Sequence, residues 1–363
     1  QIPNTKINAN LNLTADSGSI QVTNKAMEMD ANGTFSLYEL VDAILYNISS
    51  FSNIAEKKLF PDTSSYNADI NRYNHSGNVN IKYKFITKDS MELKKLTSPL
   101  GIVFNGDING RLTNSKDEFN STSSVIINKF IYHDTILVLN NFKSNIVFSN
   151  DYRKLSDEEP LSSFALNMYM NADRIMIDSG KYDSLQALLT LSESLANLDF
   201  KGRIQPLNYA MIKSAVDMRG DQTVFTVDSL YAKYFDYSIV NNNVWTINYI
   251  PNQEFNVKQL GLKTGNMVLN LDGYYSLYGI SDININGDNI NLGQIYEMIR
   301  PFDTTLTGEK NIYPVKGELK KLFVHLEGTP YDVNIGLEVK TNTLTFDSVG
   351  IGTIEGTVIY KDR

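Results

Sequence analysis

Along much of this chain apolar and polar residues alternate one for one, and that period decides the class of fold. Val333, Ile335, Leu337 and Val339 share one parity, and Asn334, Gly336, Glu338 and Lys340 share the other. Met267, Leu269 and Leu271 alternate against Asn270 and Asp272, and Ile283 and Ile285 against Asn284 and Asn286. Trp245, Ile247 and Tyr249 stand beside Thr246 and Asn248, and Leu166, Met168 and Met170 form one more stripe. Nearer the N-terminus, Ala9, Leu11 and Leu13 oppose Asn8, Asn10 and Asn12, and Val79, Ile81, Tyr83 and Phe85 oppose Asn80, Lys82 and Lys84. Successive side chains of a strand point to opposite faces, so each run reads as a strand with one apolar and one wet face. That is the antiparallel signature.

A sandwich or barrel core closes within about ten strands. Here the stripes continue through 363 residues with no second, complementary set of strands. The pattern therefore predicts a mostly β fold: an elongated, twisted antiparallel sheet that must curl, leaving an open apolar trough where the curl does not close, with closed units as the alternative. The whole of 1–363 reads as one continuous repetitive sheet, in approximate units 1–160, 161–272 and 273–363. Both ends fall inside strand patterns, as in a piece cut from a longer protein.

About three short amphipathic helices interrupt the alternation, each followed by a Gly-led strand. Ser36 and Glu39 form a capping box ahead of Leu37, Leu40, Val41, Ile44 and Leu45, which predicts a helix from Ser36 to Tyr46. Leu188, Leu191, Leu195 and Leu198 give a second stripe, within Ser184 to Leu198. Leu292, Ile295, Tyr296 and Ile299 give a third, within Gly293 to Arg300 and stopped by Pro301. Asn32-Gly33, Asn105-Gly106, Asn109-Gly110 and Asn286-Gly287 mark tight turns, or bulges where they fall inside strands. The polar stretches from Phe51 to Ser76 and from Asp151 to Pro160 read as loops.

Composition excludes several functions. The net charge is −8 and no Lys/Arg cluster appears, so nothing suits a phosphate-tracking nucleic-acid surface. The absence of cysteine removes thiol catalysis and Cys-ligated zinc. No apolar run approaches the roughly 18 residues of a membrane span. No nucleophile-elbow, zincin, phosphate-loop or dinucleotide motif is present, and a point active site is not expected. His75, His133 and His325 are scattered. Asp282-Ile283-Asn284-Ile285-Asn286-Gly287 begins like a calcium loop, but Gly293 stands where the bidentate Glu belongs, so the segment reads as a strand. Asn12, Asn32, Asn47, Asn74 and Asn120 head Asn-x-Ser/Thr triplets, which arise by chance in so Asn-rich a chain. No cofactor is implied.

A strand, a short helix and a Gly-led strand thus recur three times, and the third copy reads Gly287-Asp288-Asn289-Ile290-Asn291-Leu292, then Gly317-Glu318-Leu319, then Leu326-Glu327-Gly328-Thr329. The tail reads Gly352-Thr353-Ile354-Glu355-Gly356-Thr357-Val358-Ile359-Tyr360. This succession resembles the AsmA-like proteins, most closely the TamB family, with the likeness strongest from about Leu161 onward. The first copy departs most, since Asn32-Gly33-Thr34-Phe35 lacks the D-x-I-x-I form.

The resemblance implies a sheet curled into an open, U-shaped groove, a β-taco, with a greasy concave side. It also implies a place in the periplasm of a double-membrane bacterium, with an inner-membrane anchor outside this segment. The implied task is carrying phospholipid between the membranes, or assembling outer-membrane β-barrels with a TamA-like partner. A β-rich adhesin or polysaccharide-binding protein is the further alternative. On the lipid reading the acyl-chain-binding candidates are Leu166, Met168, Met170, Trp245, Ile247, Tyr249, Met267, Leu269, Leu271, Ile283, Ile285, Val333, Ile335, Leu337 and Val339.

Overall fold

The alternating runs form strands, and every pairing among the described residues is antiparallel. The structure is a computed structural model that describes residues 8–14, 17–59, 77–133, 136–154, 160–178, 180–204, 209–234, 237–251, 253–299, 315–329, 331–346 and 349–361. The chain divides into two compact units, one of residues 1–205 with 216–221, the other of 206–215 with 222–363.

Unit 1 is a meander. Strands β1 (Asn8–Leu13), β2 (Gly18–Thr23) and β3 (Met27–Thr34) pair in succession. Helix α1 (Leu37–Leu59) then intervenes before β4 (Val79–Thr87) returns beside β3. Helix α2 (Ser90–Thr97) precedes β5 (Ile102–Asn114), β6 (Glu118–Tyr132), β7 (Leu137–Asp151), β8 (Phe164–Ile177), β9 (Gly180–Ser192) and β10 (Leu195–Ile204), each paired with the next. Among the described residues no pairing joins β1 to β10, so this sheet is not a closed barrel.

Strand β11 (Tyr209–Asp217) is followed in unit 2 by β12 (Thr223–Tyr234), whose two ends pair with β13 (Tyr237–Asn241) and β14 (Trp245–Ile250). The meander continues through β15 (Glu254–Thr264), β16 (Met267–Ser276) and β17 (Ser281–Asn291). Helix α3 (Leu292–Ile299) and the short strand β18 (Val315–Lys316) come next, before β19 (Glu318–Thr329) pairs with β17. Strand β20 (Asp332–Thr341) follows, and β21 (Leu344–Phe346) and β22 (Val349–Gly352) join β18 in a small separate sheet. The last strand, β23 (Glu355–Lys361), pairs with β20.

Among the described residues there are three α-helices, and two of them, α1 and α3, fall where the periodicity predicts. The first is 23 residues long and absorbs Phe51 to Leu59, about a third of a stretch read as loop. Its start is capped as expected: Ser36 Oγ accepts the Glu39 N–H at 3.1 Å and donates to the Glu39 carboxylate at 3.1 Å. The second predicted helix does not exist. Ser184 to Leu198 is the β9–β10 hairpin, in which Leu189 faces Leu198 and Leu191 faces Ala196. Its two-residue turn uses Glu193 (φ 49°) and Ser194 (φ 63°), a left-handed pair without the Asn-Gly that announces such a turn. Reversing the chain there leaves leucines three and four apart on two strands, which imitates helical spacing. Conversely α2 carried only a short signal, an Asp89 cap whose Oδ1 accepts the N–H groups of Met91 and Glu92 at 2.9 and 3.2 Å.

All four Asn-Gly pairs lie inside strands, with Gly106 at a bulge of β5. Asp151 ends β7 and Tyr152–Lys154 forms a single 3₁₀ turn. Asp282 to Gly287 is strand, as the failed calcium match implies. His75 and Asn74 lie outside the described residues.

At ~1.5 Å per residue a helix as long as α1 spans about 35 Å, the width of roughly seven strands. It lies across the apolar face of unit 1. Its N-terminal half joins Ala31, Phe35, Val79, Ile81, Leu112 and Phe119 in one core, through Leu40, Ala43 and Ile44. Its C-terminal half covers Leu161, Phe164 and Leu191, through Phe51, Ile54 and Ala55. The two ends thus rest on strands from β3 to β9.

Candidate apolar binding face

Residues directly opposite one another across a ladder share a face, so the register tests each parity read from the sequence. In unit 2 the row Leu260, Leu271, Ile285, Val324, Leu337, Val358 crosses six strands from β15 to β23 without a polar residue. A second row runs Ile247, Val257, Gly273, Ile283, Leu326, Ile335, Tyr360. Leu269 and Val339 fall in a third, opposite Leu262 and Leu322 respectively. Val333 is opposite Gly328, Tyr249 opposite Phe255, Trp245 opposite Val227 and Met267 opposite Thr264. All twelve candidates of unit 2 therefore stand on one face, although their strands are scattered over nearly a hundred residues of sequence.

That face is not sealed. Among the candidates of unit 2 Met267 is buried at 7% exposure, Leu269 is exposed at 38%, and the rest are half-buried. The clusters of buried side chains among the described residues all belong to unit 1. A hydrophobic layer closed over this sheet would have driven its middle rows to full burial. The indole N–H of Trp245 is buried with no hydrogen-bond partner among the described residues.

The opposite face of unit 2 is wet. Asp282, Glu327, Asn334 and Lys361 form one of its rows, and Asn284 and His325 pair in the next. His325 Nδ1 lies 2.8 Å from Asn284 Oδ1, with the Asp282 and Glu327 carboxylates at 3.6 and 3.7 Å from the ring. No group of three or more acidic or histidine side chains among the described residues is placed to hold a metal.

In unit 1 Leu166, Met168 and Met170 share a face with Phe148, Ile146 and Ser144 on β7 and with Leu191, Leu189 and Ala187 on β9. Leu166 packs into the cluster under the C-terminal half of α1. Met170 packs beside Ala172, Leu185 and Ala187 with Phe142 and Phe200. Leu166 and Met170 thus pack against cores, unlike the candidates of unit 2.

The sequence reading passed over the residues around α1. A recess of about 510 Å³ opens between the N-terminal half of α1 and the sheet, with Ala31, Ile81, Leu112 and Ser121 below and Leu37, Leu40, Ile44 and Ile48 above. A buried polar relay holds the helix beside it. Asn47 Nδ2 donates to Ala43 O and to Tyr152 Oη, both at 2.8 Å, Tyr152 Oη donates to Asn114 Oδ1 at 2.8 Å, and Asn114 Nδ2 donates to Gly77 O at 2.6 Å. Burial pushes the Tyr152 phenol above its ordinary range, against the hydrogen bond from Asn47. Asn47 is 1% exposed, which leaves no room for a glycan on its triplet. Its signal in the sequence was an Asn on the apolar side of a helical stripe.

No helix among the described residues is long and apolar enough to cross a membrane. No protein-family model matches the chain, and no curated protein matches it.

Proposed function

We propose that this chain binds the acyl chains of phospholipids along the apolar face of its sheet, as a periplasmic segment of a bridge that carries lipid between the inner and outer membranes. The observation that carries the lipid-binding reading is the uncovered face of unit 2, where apolar side chains stand opposite one another across six strands that neighbour one another in the sheet. Each methylene taken out of water there regains about 0.8 kcal/mol, while a headgroup stays in solvent at the rim. The repeated rows offer equivalent seats from strand to strand, which suits movement along a surface better than capture at a point. The transport role and its location rest on the likeness of Gly287 to Leu292 and Gly352 to Tyr360 to the TamB and AsmA-like pattern.

The single tryptophan, Trp245, stands on this face and reports its occupancy. Delipidated protein is mixed with vesicles of phosphatidylethanolamine and phosphatidylglycerol bearing dibrominated acyl chains. Quenching of Trp245 that is relieved several-fold in Ile285→Arg/Leu337→Arg supports the reading. Absence of quenching in the wild-type protein overturns it.

A scaffold for outer-membrane β-barrel assembly is the second reading, favoured by β23. All seven of its residues are exposed, and among the described residues it pairs only with β20. Such an edge accepts an added strand. The Arg variants leave that edge untouched, so strand capture would survive them.

A further inference from the structure

The recess under α1 has the size of a small-molecule site, about 510 Å³ against the roughly 300–1,000 Å³ usual for such pockets. Close packing ordinarily eliminates gaps of this kind. Two features keep it open. The floor is built from short side chains at Ala31 and Ser121, whose cross-strand neighbours, Ile20 and Tyr83 for the first and Leu112 and Phe148 for the second, are larger. The helix above is held at its middle by Asn47, whose amide is committed to Ala43, Tyr152 and Asn150. A helix pinned in this way does not settle onto a low floor.

The wall states what it will accept. No charged side chain lines it among the described residues. Asn47 has spent its hydrogen bonds inside the relay, and Tyr83 Oη is paired with Ser123 Oγ at 2.5 Å. Ser121 is the remaining polar side chain among the described lining residues, so water gains few partners there. A headgroup would lose its hydration without replacement. The mouth is also apolar: Leu37 and Ile48 line the recess yet are 47% and 60% exposed. In register the floor leads on to the candidate face of β8, because Ile146 lies opposite Ser123 on one side and Met168 on the other.

We infer that this recess is a binding site for one hydrocarbon chain, entered past Leu37 and Ile48, a site distinct from the rows of unit 2. The inference rests on the lipid-binding reading of the sheet face for the source of the chain. The ligand is the methylene chain itself, carried either by a free fatty acid or by a phospholipid.

Two photoreactive probes separate these sources: palmitic acid with a diazirine in the chain, and vesicles of a phospholipid with the same diazirine in one acyl chain. After irradiation the adducts are mapped by proteolysis and mass spectrometry. Adducts on Leu40, Ile44 or Leu112 are expected. Ser121→Phe, which raises the floor, and Ile48→Trp, which blocks the mouth, each lower those adducts at least tenfold and leave adducts at Ile285 and Leu337 unchanged. Labelling by both probes or by either one supports the site and assigns its source. Adducts confined to unit 2 overturn the inference and leave the proposed function standing, whereas adducts confined to the recess support it and remove the open face as the lipid surface. No adduct anywhere overturns both. Melting curves verify that each variant is folded, and Ile48→Trp, at an exposed position, carries the test if Ser121→Phe does not fold.

Discussion

The side-chain amide of Asn150, at the end of β7, donates to Oδ1 of Asn47 on α1 at 2.9 Å, across 103 residues of sequence. Both side chains are essentially out of water, Asn150 at 0% and Asn47 at 1% exposure. The bond ties a helix to a sheet that already meets it through apolar contacts, so its chief effect is to fix where the helix sits. Asn47→Leu strands the Asn150 amide and removes the donor to Tyr152 Oη. A buried group left unpaired costs about 1–3 kcal/mol, and a loss near 2 kcal/mol in urea denaturation is expected. Amide exchange should quicken in α1 before it does in β6 and β7. Uniform exchange across the unit would mean that the relay does not set the helix position.

Leu337 and Glu338 are neighbours on β20 whose side chains take opposite faces, the first in the row with Ile285 and Val324 and the second paired with Phe323. A photo-crosslinking residue at Leu337 should capture phospholipid, and one at Glu338 should capture several-fold less. Equal capture at the two positions would remove the face as the lipid surface.

The strands and their faces were legible because period two is a local property of the chain. Val333 to Val339 and Met267 to Leu271 show it within a few residues, and the ladders then align those runs without further information. What escaped was decided by contacts or by single turns. The Glu193-Ser194 turn carries no glycine, so Leu188 to Leu198 passed for a helix. Helix α1 continues through polar Ser49, Ser50, Ser52 and Asn53, because tertiary packing of Phe51, Ile54 and Ala55 outweighs that local composition. The recess was invisible for the same reason. Ala31, Ile44 and Ser121 lie far apart in sequence, and only the crossing of α1 over the sheet brings them together.

Leu40 and Tyr38 share one turn of α1 but face different surroundings. Leu40 packs on the core with Ala31, Ile81 and Leu112, while Tyr38 is 71% exposed. Leu40→Asp places an unpaired carboxylate against that core and should lower stability by about 3 kcal/mol. Tyr38→Asp should change the denaturation midpoint by less than about 0.5 kcal/mol equivalent. Similar losses at both positions would mean that α1 is covered on its outer side as well.

Arg219 bonds to the Asp217 carboxylate through Nε at 2.8 Å and through Nη2 at 2.5 Å. That side-chain hydrogen bond, helped by the Arg219 backbone N–H and charge and opposed by slight desolvation, holds the Asp217 carboxyl below its ordinary value. A depressed folded-state value stabilises the fold above the unfolded value of about 3.9, and the contribution disappears as pH falls through the folded one. Arg219→Ala should therefore raise the Asp217 midpoint in a carbon-detected NMR titration. The stability gap between wild-type protein and variant should be constant above about pH 5 and narrow below about pH 4. Because the pair is largely solvated, about 0.5 M salt should shrink the gap at neutral pH as well. A gap that widens on acidification would mean that Arg219 acts on stability through something other than this carboxylate.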